Sequence, residues 1–170
     1  DLIKEYMTEH QRIIFNGNGY SDEWVVEAEK RGLPNIKSMI EAASTLTSEK
    51  AVALFEKFGI YTKAELESRE EIIYETYAKT INIEALTMID MAGKQIIPAV
   101  VKYTKTLADT ANAIKAAGGD ASVQTELLAD VSTKLAAMQK ALNKLVADEK
   151  EASAMEDVKA QAFFYKDTIK

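Results

Sequence analysis

The residues that could do chemistry are few and far apart. His10 is the only histidine, and cysteine is absent. A triad or metal site built on His10 would need acidic or nucleophilic partners that the sequence does not single out. Beside Glu9, near an expected helix end, it reads as a surface or capping histidine. Without cysteine there are no disulfides, thiolate ligands or thiol nucleophiles, which fits a reducing cytoplasm. Asn16-Gly17-Asn18-Gly19 precedes an expected helix start, where an anion could sit. It lacks the Lys-Ser/Thr of a P-loop and the spacing of a dinucleotide fingerprint, so a structural turn is the first reading and ligand contact the second.

Glu84, Thr87, Asp90 and Lys94 interrupt an otherwise apolar stretch, and two buried carboxylates could serve acid–base or metal chemistry. Glu84 and Asp90 share a helical face poorly, however, and Asp90 with Lys94 is an ordinary i,i+4 pair. No Glu-x-x-His occurs, which disfavours a di-iron bundle. The expected role is a polar stripe at solvent or at an interface, on a helix central enough to meet neighbours on most sides. Met88, Met91, Met138 and Met155 lie at helical apolar positions and read as core. No catalytic, cofactor-binding or metal-binding residue is therefore assigned.

The elements behind these residues are helical. The 170 residues are 47% hydrophobic and 28% charged, with only two Pro and seven Gly, an ordinary globular balance. A net charge of −6 argues against nucleic-acid and anionic-membrane partners, which select clustered Lys and Arg. No apolar run approaches the roughly 20 residues of a membrane span, and the N-terminus has no signal-peptide core. Residues 1–15 read as a helix end followed by the apolar Ile13-Ile14-Phe15. Ser21 is expected to cap a helix with Trp24, Val25 and Ala28 inward, closed by Arg31-Gly32-Leu33-Pro34. Asn35 is expected to cap a short helix to about Ala43. Thr47 or Ser48 caps another, with Val52, Leu54, Phe55 and Phe58 as core candidates and Gly59 closing it.

Thr62-Lys63-Ala64-Glu65 is a capping box. Helical patterning then runs to about Ala117, with a kink expected at Pro98 and a break conceivable near 79–82. Gly118-Gly119-Asp120 is a turn. The helix after it, about Ser122 to Glu151, carries Leu128, Val131, Leu135, Met138, Leu142 and Leu145, a heptad seam that packs within the chain or against another subunit. A last helix is expected from about Ala154, with Met155, Val158, Ala162, Phe163 and Tyr165 inward and no stop signal at Lys170. The fold class is all-α. A cluster of short helices and loops (1–61) precedes an up-down antiparallel bundle of three long helices, the last incomplete (62–170).

Three stretches carry a family resemblance: Arg12-Ile13-Ile14-Phe15-Asn16-Gly17-Asn18-Gly19-Tyr20-Ser21-Asp22-Glu23-Trp24, then Glu27-Ala28-Glu29-Lys30-Arg31-Gly32-Leu33-Pro34-Asn35, then Ile81-Asn82-Ile83-Glu84-Ala85 with Met88, Asp90-Met91-Ala92 and Ile97-Pro98-Ala99. Together they resemble the C-terminal region of type III glutamine synthetases, the large bacterial form. Residues 104–170 agree in character but are weakly diagnostic. The resemblance implies a cytoplasmic parent enzyme that joins ammonia to glutamate through a γ-glutamyl phosphate, using ATP and divalent metal (Mg or Mn). Its metal-binding glutamates and substrate-binding arginines would lie in a β-rich domain upstream, and no position here matches one. It also implies packing on that catalytic domain, dodecameric rings, and a chain continuing beyond Lys170 to a Trp- and Pro-containing tail. Loss of that continuation would leave an apolar groove prone to artificial dimerisation. The alternative is a free-standing helical module that binds a partner helix through the heptad seam, and the parent reading frame distinguishes the two. A bundle metal enzyme is a third reading, and the ligand set speaks against it.

Overall fold

A computed structural model describes residues 1–169. Helix accounts for 78% of the chain and the described residues contain no strand, in line with the all-α expectation. The chain divides into two compact units, Asp1–Thr45 and Leu46–Lys170.

In the first unit, α1 (Leu2–Glu9) leads through a short 3-10 turn to the Asn16–Gly19 loop, α2 (Asp22–Lys30) and α3 (Met39–Ala43). Its buried residues are Ala28, Ile40 and Ala43. α2 ends as its residues dictate. Gly32 takes φ +65, and the Gly32 and Leu33 N–H groups donate to the carbonyls of Glu29 and Ala28. A side chain is disfavoured at that left-handed position, so glycine stops the helix there. Two expected caps differ. Ser21 occupies the N-cap of α2, but its hydroxyl donates to the Asn18 carbonyl at 2.8 Å, so it locks the loop instead of capping the helix. α3 is capped by Ser38, not Asn35: Ser38 Oγ accepts from the Glu41 N–H at 3.2 Å, and the Glu41 carboxylate accepts from that hydroxyl. With one Glu on both sides of the exchange, Ser38 offers a better end than Asn35.

In the second unit, α4 (Glu49–Lys57) is capped by Ser48, which leaves Thr47 for another partner. Of its core candidates, Val52 and Phe55 are half-buried, whereas Leu54 and Phe58 are exposed. A nine-residue helix packed on one neighbour can bury only one stripe. The capping box then opens α5 (Lys63–Met91): the Thr62 N–H donates to Glu65 Oε2 at 2.7 Å, and Thr62 Oγ1 accepts from the Glu65 N–H at 3.4 Å. α5 runs through residues 79–82 without a break. It passes through a π-turn, Ala92–Ile96, into α6 (Ile97–Ala116), making one helix of 54 residues. At 1.5 Å per residue this is about 80 Å of rod. Pro98 sits in the first turn of α6, and the wider turn before it absorbs the missing N–H and the ring's demand for space.

Gly118, at φ +78, reverses the chain, and α7 (Ser122–Ser153) returns along α6. All six heptad-seam residues of α7 are half-buried. Facing them, Val100, Thr104, Leu107, Ala111 and Ile114 repeat at alternating spacings of four and three, so the seam packs within the chain. Asp157 caps α8 (Val158–Phe164) by accepting from the Ala160 N–H at 2.7 Å, which separates α8 from α7 where one start near Ala154 was expected. A π-turn, Tyr165–Ile169, follows, and Lys170 lies outside the described residues. Tyr165, Ala78, Ile81 and Ala152 form the buried centre where α5, α7 and the last turn meet.

α5 departs from expectation on one side. Ile72, Ile83 and Leu86 are exposed opposite its buried stripe of Leu66, Tyr74, Ala78, Ile81 and Ala85. α4, α7, α8 and the last turn pack on α5, and these three apolar side chains share its uncovered face with charged residues such as Glu75 and Lys79.

Candidate functional site

The residues singled out from sequence do not assemble. His10 caps the end of α1, exposed, with its ring stacked 5.8 Å from Tyr6. Glu84 is exposed. Thr87 donates back to the Ile83 carbonyl at 2.7 Å, a local bond within its own helix. Asp90 and Lys94 form an exposed ion pair, and the hydrogen bond from that pair holds Lys94 above the usual lysine range. Met138 and Met155 are half-buried as expected, but Met88 and Met91 are exposed, Met88 at the rim of an open groove rather than inside the core. Met88, Ala92, Met138, Leu142, Leu145 and Ile169 line an apolar groove of about 340 Å³ between α5, α7 and the last turn. Among the described residues no group of three or more His, Cys, Asp or Glu could hold a metal ion.

Three polar hubs that sequence reading passed over do assemble. The first is Glu70, nearly buried on α5. Its carboxylate accepts from Thr47 Oγ1 at 2.5 Å, from the Tyr74 hydroxyl at 2.9 Å and from Lys159 Nζ at 3.4 Å. Burial opposes the charge on Glu70, yet the two hydroxyls and the ammonium outweigh it and keep the carboxyl below its usual range. Burial, then the adjacent carboxylate, pushes the Tyr74 hydroxyl up. The hub ties the segment before α4 to α5 and α8. Beside it Glu67, Glu71, Glu156 and Asp157 line an open depression. The i,i+4 spacing of Glu70 and Tyr74 was visible in sequence, but Lys159 lies 89 residues away.

The second hub is Asn82, whose amide donates to Tyr165 Oη at 2.7 Å, Glu149 Oε1 at 3.2 Å and Ser153 Oγ at 3.3 Å. It fastens α7 and the last turn to α5. The third lies in the first unit. Arg31 Nε donates to Glu27 Oε1 at 2.5 Å, and its Nη1 reaches the Ile14 carbonyl at 2.7 Å and that of Arg12 at 3.4 Å. That hydrogen bond lowers the Glu27 carboxyl. Phe15 packs on Trp24 with ring centres 4.6 Å apart, and the Arg31 guanidinium stands 6.0 Å from the Phe15 ring. A Cβ at Gly17 would come within 2.5 Å of that ring, so a side chain there would push Phe15 from its place on Trp24. The Tyr20 N–H donates to Asn18 Oδ1 at 3.0 Å, and the Tyr20 side chain is fully exposed. The loop is thus fixed at its base and bare at its tip.

All three hubs join elements, and none presents a free nucleophile or an open acid–base pair. The model of the glutamine synthetase C-terminal domain family matches residues 1–115. The chain belongs to this family. The match covers the first unit and the 54-residue helix almost to its end, the stretches whose motifs carried the resemblance. A glutamine synthetase of Butyrivibrio fibrisolvens is 39% identical over 171 residues, which is 99% of this chain and 24% of that protein. A type-3 glutamine synthetase of Dictyostelium discoideum is 41% identical over 113 residues, 66% of this chain and 15% of that one. A glutamine synthetase of Bacteroides fragilis (strain YCH46) is 29% identical over 175 residues, 99% of this chain and 24% of that one. The chain therefore spans about a quarter or less of the curated relatives it matches. No helix among the described residues is long and apolar enough to cross a membrane.

Proposed function

We propose that this chain is the helical, structural part of a type III glutamine synthetase and that it does no chemistry by itself. The observation that carries the reading is the pairing of a near-complete match of this chain with a match to only 24% of the B. fibrisolvens enzyme. The polar hubs support it, since Glu70, Asn82 and Arg31 are engaged in joining elements. In this reading the whole enzyme ligates ammonia to glutamate in the cytoplasm at the expense of ATP. ATP and the divalent metal, Mg or Mn, belong to the part of the polypeptide that precedes this domain, and the described residues here offer no metal cluster. The helical domain packs on that catalytic part and contributes to a ring-shaped homo-oligomer, with no role for nucleic acid or membrane.

The test compares the full-length enzyme with the 170-residue chain in ATP-dependent γ-glutamyl hydroxamate formation. The full-length enzyme is expected to be active and the isolated chain inactive. Robust turnover by the isolated chain would overturn the proposal, as would a full-length protein without ligase activity.

A further inference from the structure

Two features of the first unit have the form of one half of an interface. The first is the Asn16–Tyr20 loop. Its base is held by the Phe15–Trp24 contact, by the bond from Arg31 to the Ile14 carbonyl and by the Ser21 hydroxyl on the Asn18 carbonyl. Its tip carries Tyr20, fully exposed. A tyrosine on a pre-organised loop supplies large contact area with little further loss of conformational entropy, which is why such residues dominate binding energy at interfaces. The second feature is α1. Leu2, Ile3, Tyr6 and Met7 fall on one side of the helix and each is more than half exposed, while Lys4, Glu5, Thr8 and Glu9 fall on the other. α1 buries none of its residues. A clean apolar stripe on a helix this short is not self-supporting in water, because an isolated helix of about eight residues falls below the marginal length.

We infer that the apolar face of α1 and the Tyr20 loop dock on the catalytic portion of the same polypeptide, the part that precedes this domain. The inference rests on the proposed function, which supplies that portion. The chain's own arithmetic favours this occupant: about three quarters of the B. fibrisolvens relative lies outside the matched 24%, and the matched family is named for its C-terminal position. A preceding domain joined through α1 meets this surface at the high effective concentration of an intramolecular partner, in the millimolar range for short connections. The receiving surface is apolar, with a hydrogen-bond acceptor or donor placed for the tyrosine hydroxyl.

The experiment uses the full-length enzyme with p-benzoylphenylalanine replacing Tyr20 in one variant and Met7 in another. After irradiation, the products are separated by mass and the joined peptides sequenced. The expected product from at least one position has single-chain mass and links the probe to a peptide that precedes Asp1. Products of two-chain mass from both positions, links confined to residues 1–170, or no link from either position would overturn the inference. In parallel, Tyr20→Ala is expected to speed amide exchange in residues 1–45 of the full-length enzyme by roughly tenfold or more, with Tyr20→Phe intermediate. Exchange unchanged by Tyr20→Ala counts against docking. If the enzyme makes glutamine and neither probe links upstream, this inference fails while the proposed function stands.

Discussion

Tyr165 offers the sharpest test of how the second unit is held together. It is 1% exposed, packs with Ala78, Ile81 and Ala152, and accepts a hydrogen bond from Asn82 at 2.7 Å. Packing and hydrogen bonding can be separated by two substitutions. Tyr165→Phe keeps the ring and removes the hydroxyl. The Asn82 amide then retains Glu149 at 3.2 Å and Ser153 at 3.3 Å, so no donor is orphaned, and the expected cost is that of one net hydrogen bond, about 1 kcal/mol. Tyr165→Ala also removes the ring from a site walled by two alanines, which cannot swing in to fill the space. Truncating a buried aromatic to alanine costs about 3–5 kcal/mol. At 2–4 °C per kcal/mol for a chain of this size, the melting temperature falls by about 2–4 °C for Tyr165→Phe and by about 6–20 °C for Tyr165→Ala. Urea unfolding of the 170-residue chain, followed by far-ultraviolet circular dichroism, gives both differences directly. Equal losses for the two variants would mean that the hydroxyl, not the ring, secures the last turn. Losses below about 0.5 kcal/mol for both would mean that the turn is not docked on α5 at all, and the core assignment would be wrong.

Two further outcomes follow from the same geometry. The hydroxyls and the ammonium around Glu70 hold its carboxyl below the usual carboxylate range, so its contribution to stability is present above that range and is lost as pH falls through the lower folded-state value. Glu70→Gln should therefore destabilise the chain near neutral pH and converge with wild type in acid, which urea midpoints at several pH values will show. Gly118 holds φ +78 between α6 and α7 with open space around it, so Gly118→Ala should cost about 1–2 kcal/mol from backbone strain alone, without loss of helix content, and calorimetry of the variant measures it.

The parts of the fold legible in sequence are those written in short range. The Thr62–Glu65 box, the Gly32 and Gly118 stops and the heptad seam of α7 need only a few neighbouring residues, and each stands where the pattern placed it. Caps were less legible: Asn35 was the expected cap of α3, but Ser38 holds the place, with the Glu41 N–H and carboxylate both bonded to its hydroxyl. Apolar residues on short helices misled, since Leu54 and Phe58 have the character of core but lie off the one covered stripe of α4. The polar hubs were illegible for another reason. Glu70 draws on Thr47 and Lys159, and Asn82 on Glu149 and Tyr165, partners separated by 23 to 89 residues that only the folded chain brings together. Glu84 and Asp90, which looked more chemical, remain at the surface on different faces of their helix, where no buried charge partner among the described residues meets them.

The two units differ in how completely they satisfy themselves, and the difference bears on what the domain is for. In the second unit the buried polar groups are consumed in tying helices together. Glu70 has three donors around one carboxylate, Asn82 has three acceptors around one amide, and the described residues contain no buried side-chain nitrogen or oxygen without a partner. A group so engaged is costly to redirect toward a substrate, because each lost partner leaves a desolvated atom behind. The polar groups of the second unit are thereby engaged in holding its helices together, in keeping with the structural role proposed above. In the first unit the strong interactions gather at one place, the Arg31–Phe15–Trp24 base, while α1 buries nothing and Tyr20 faces outward. Precision at the base with apolar surface left bare is wasteful for a segment that works alone. That bare surface is what the docking inferred above would cover.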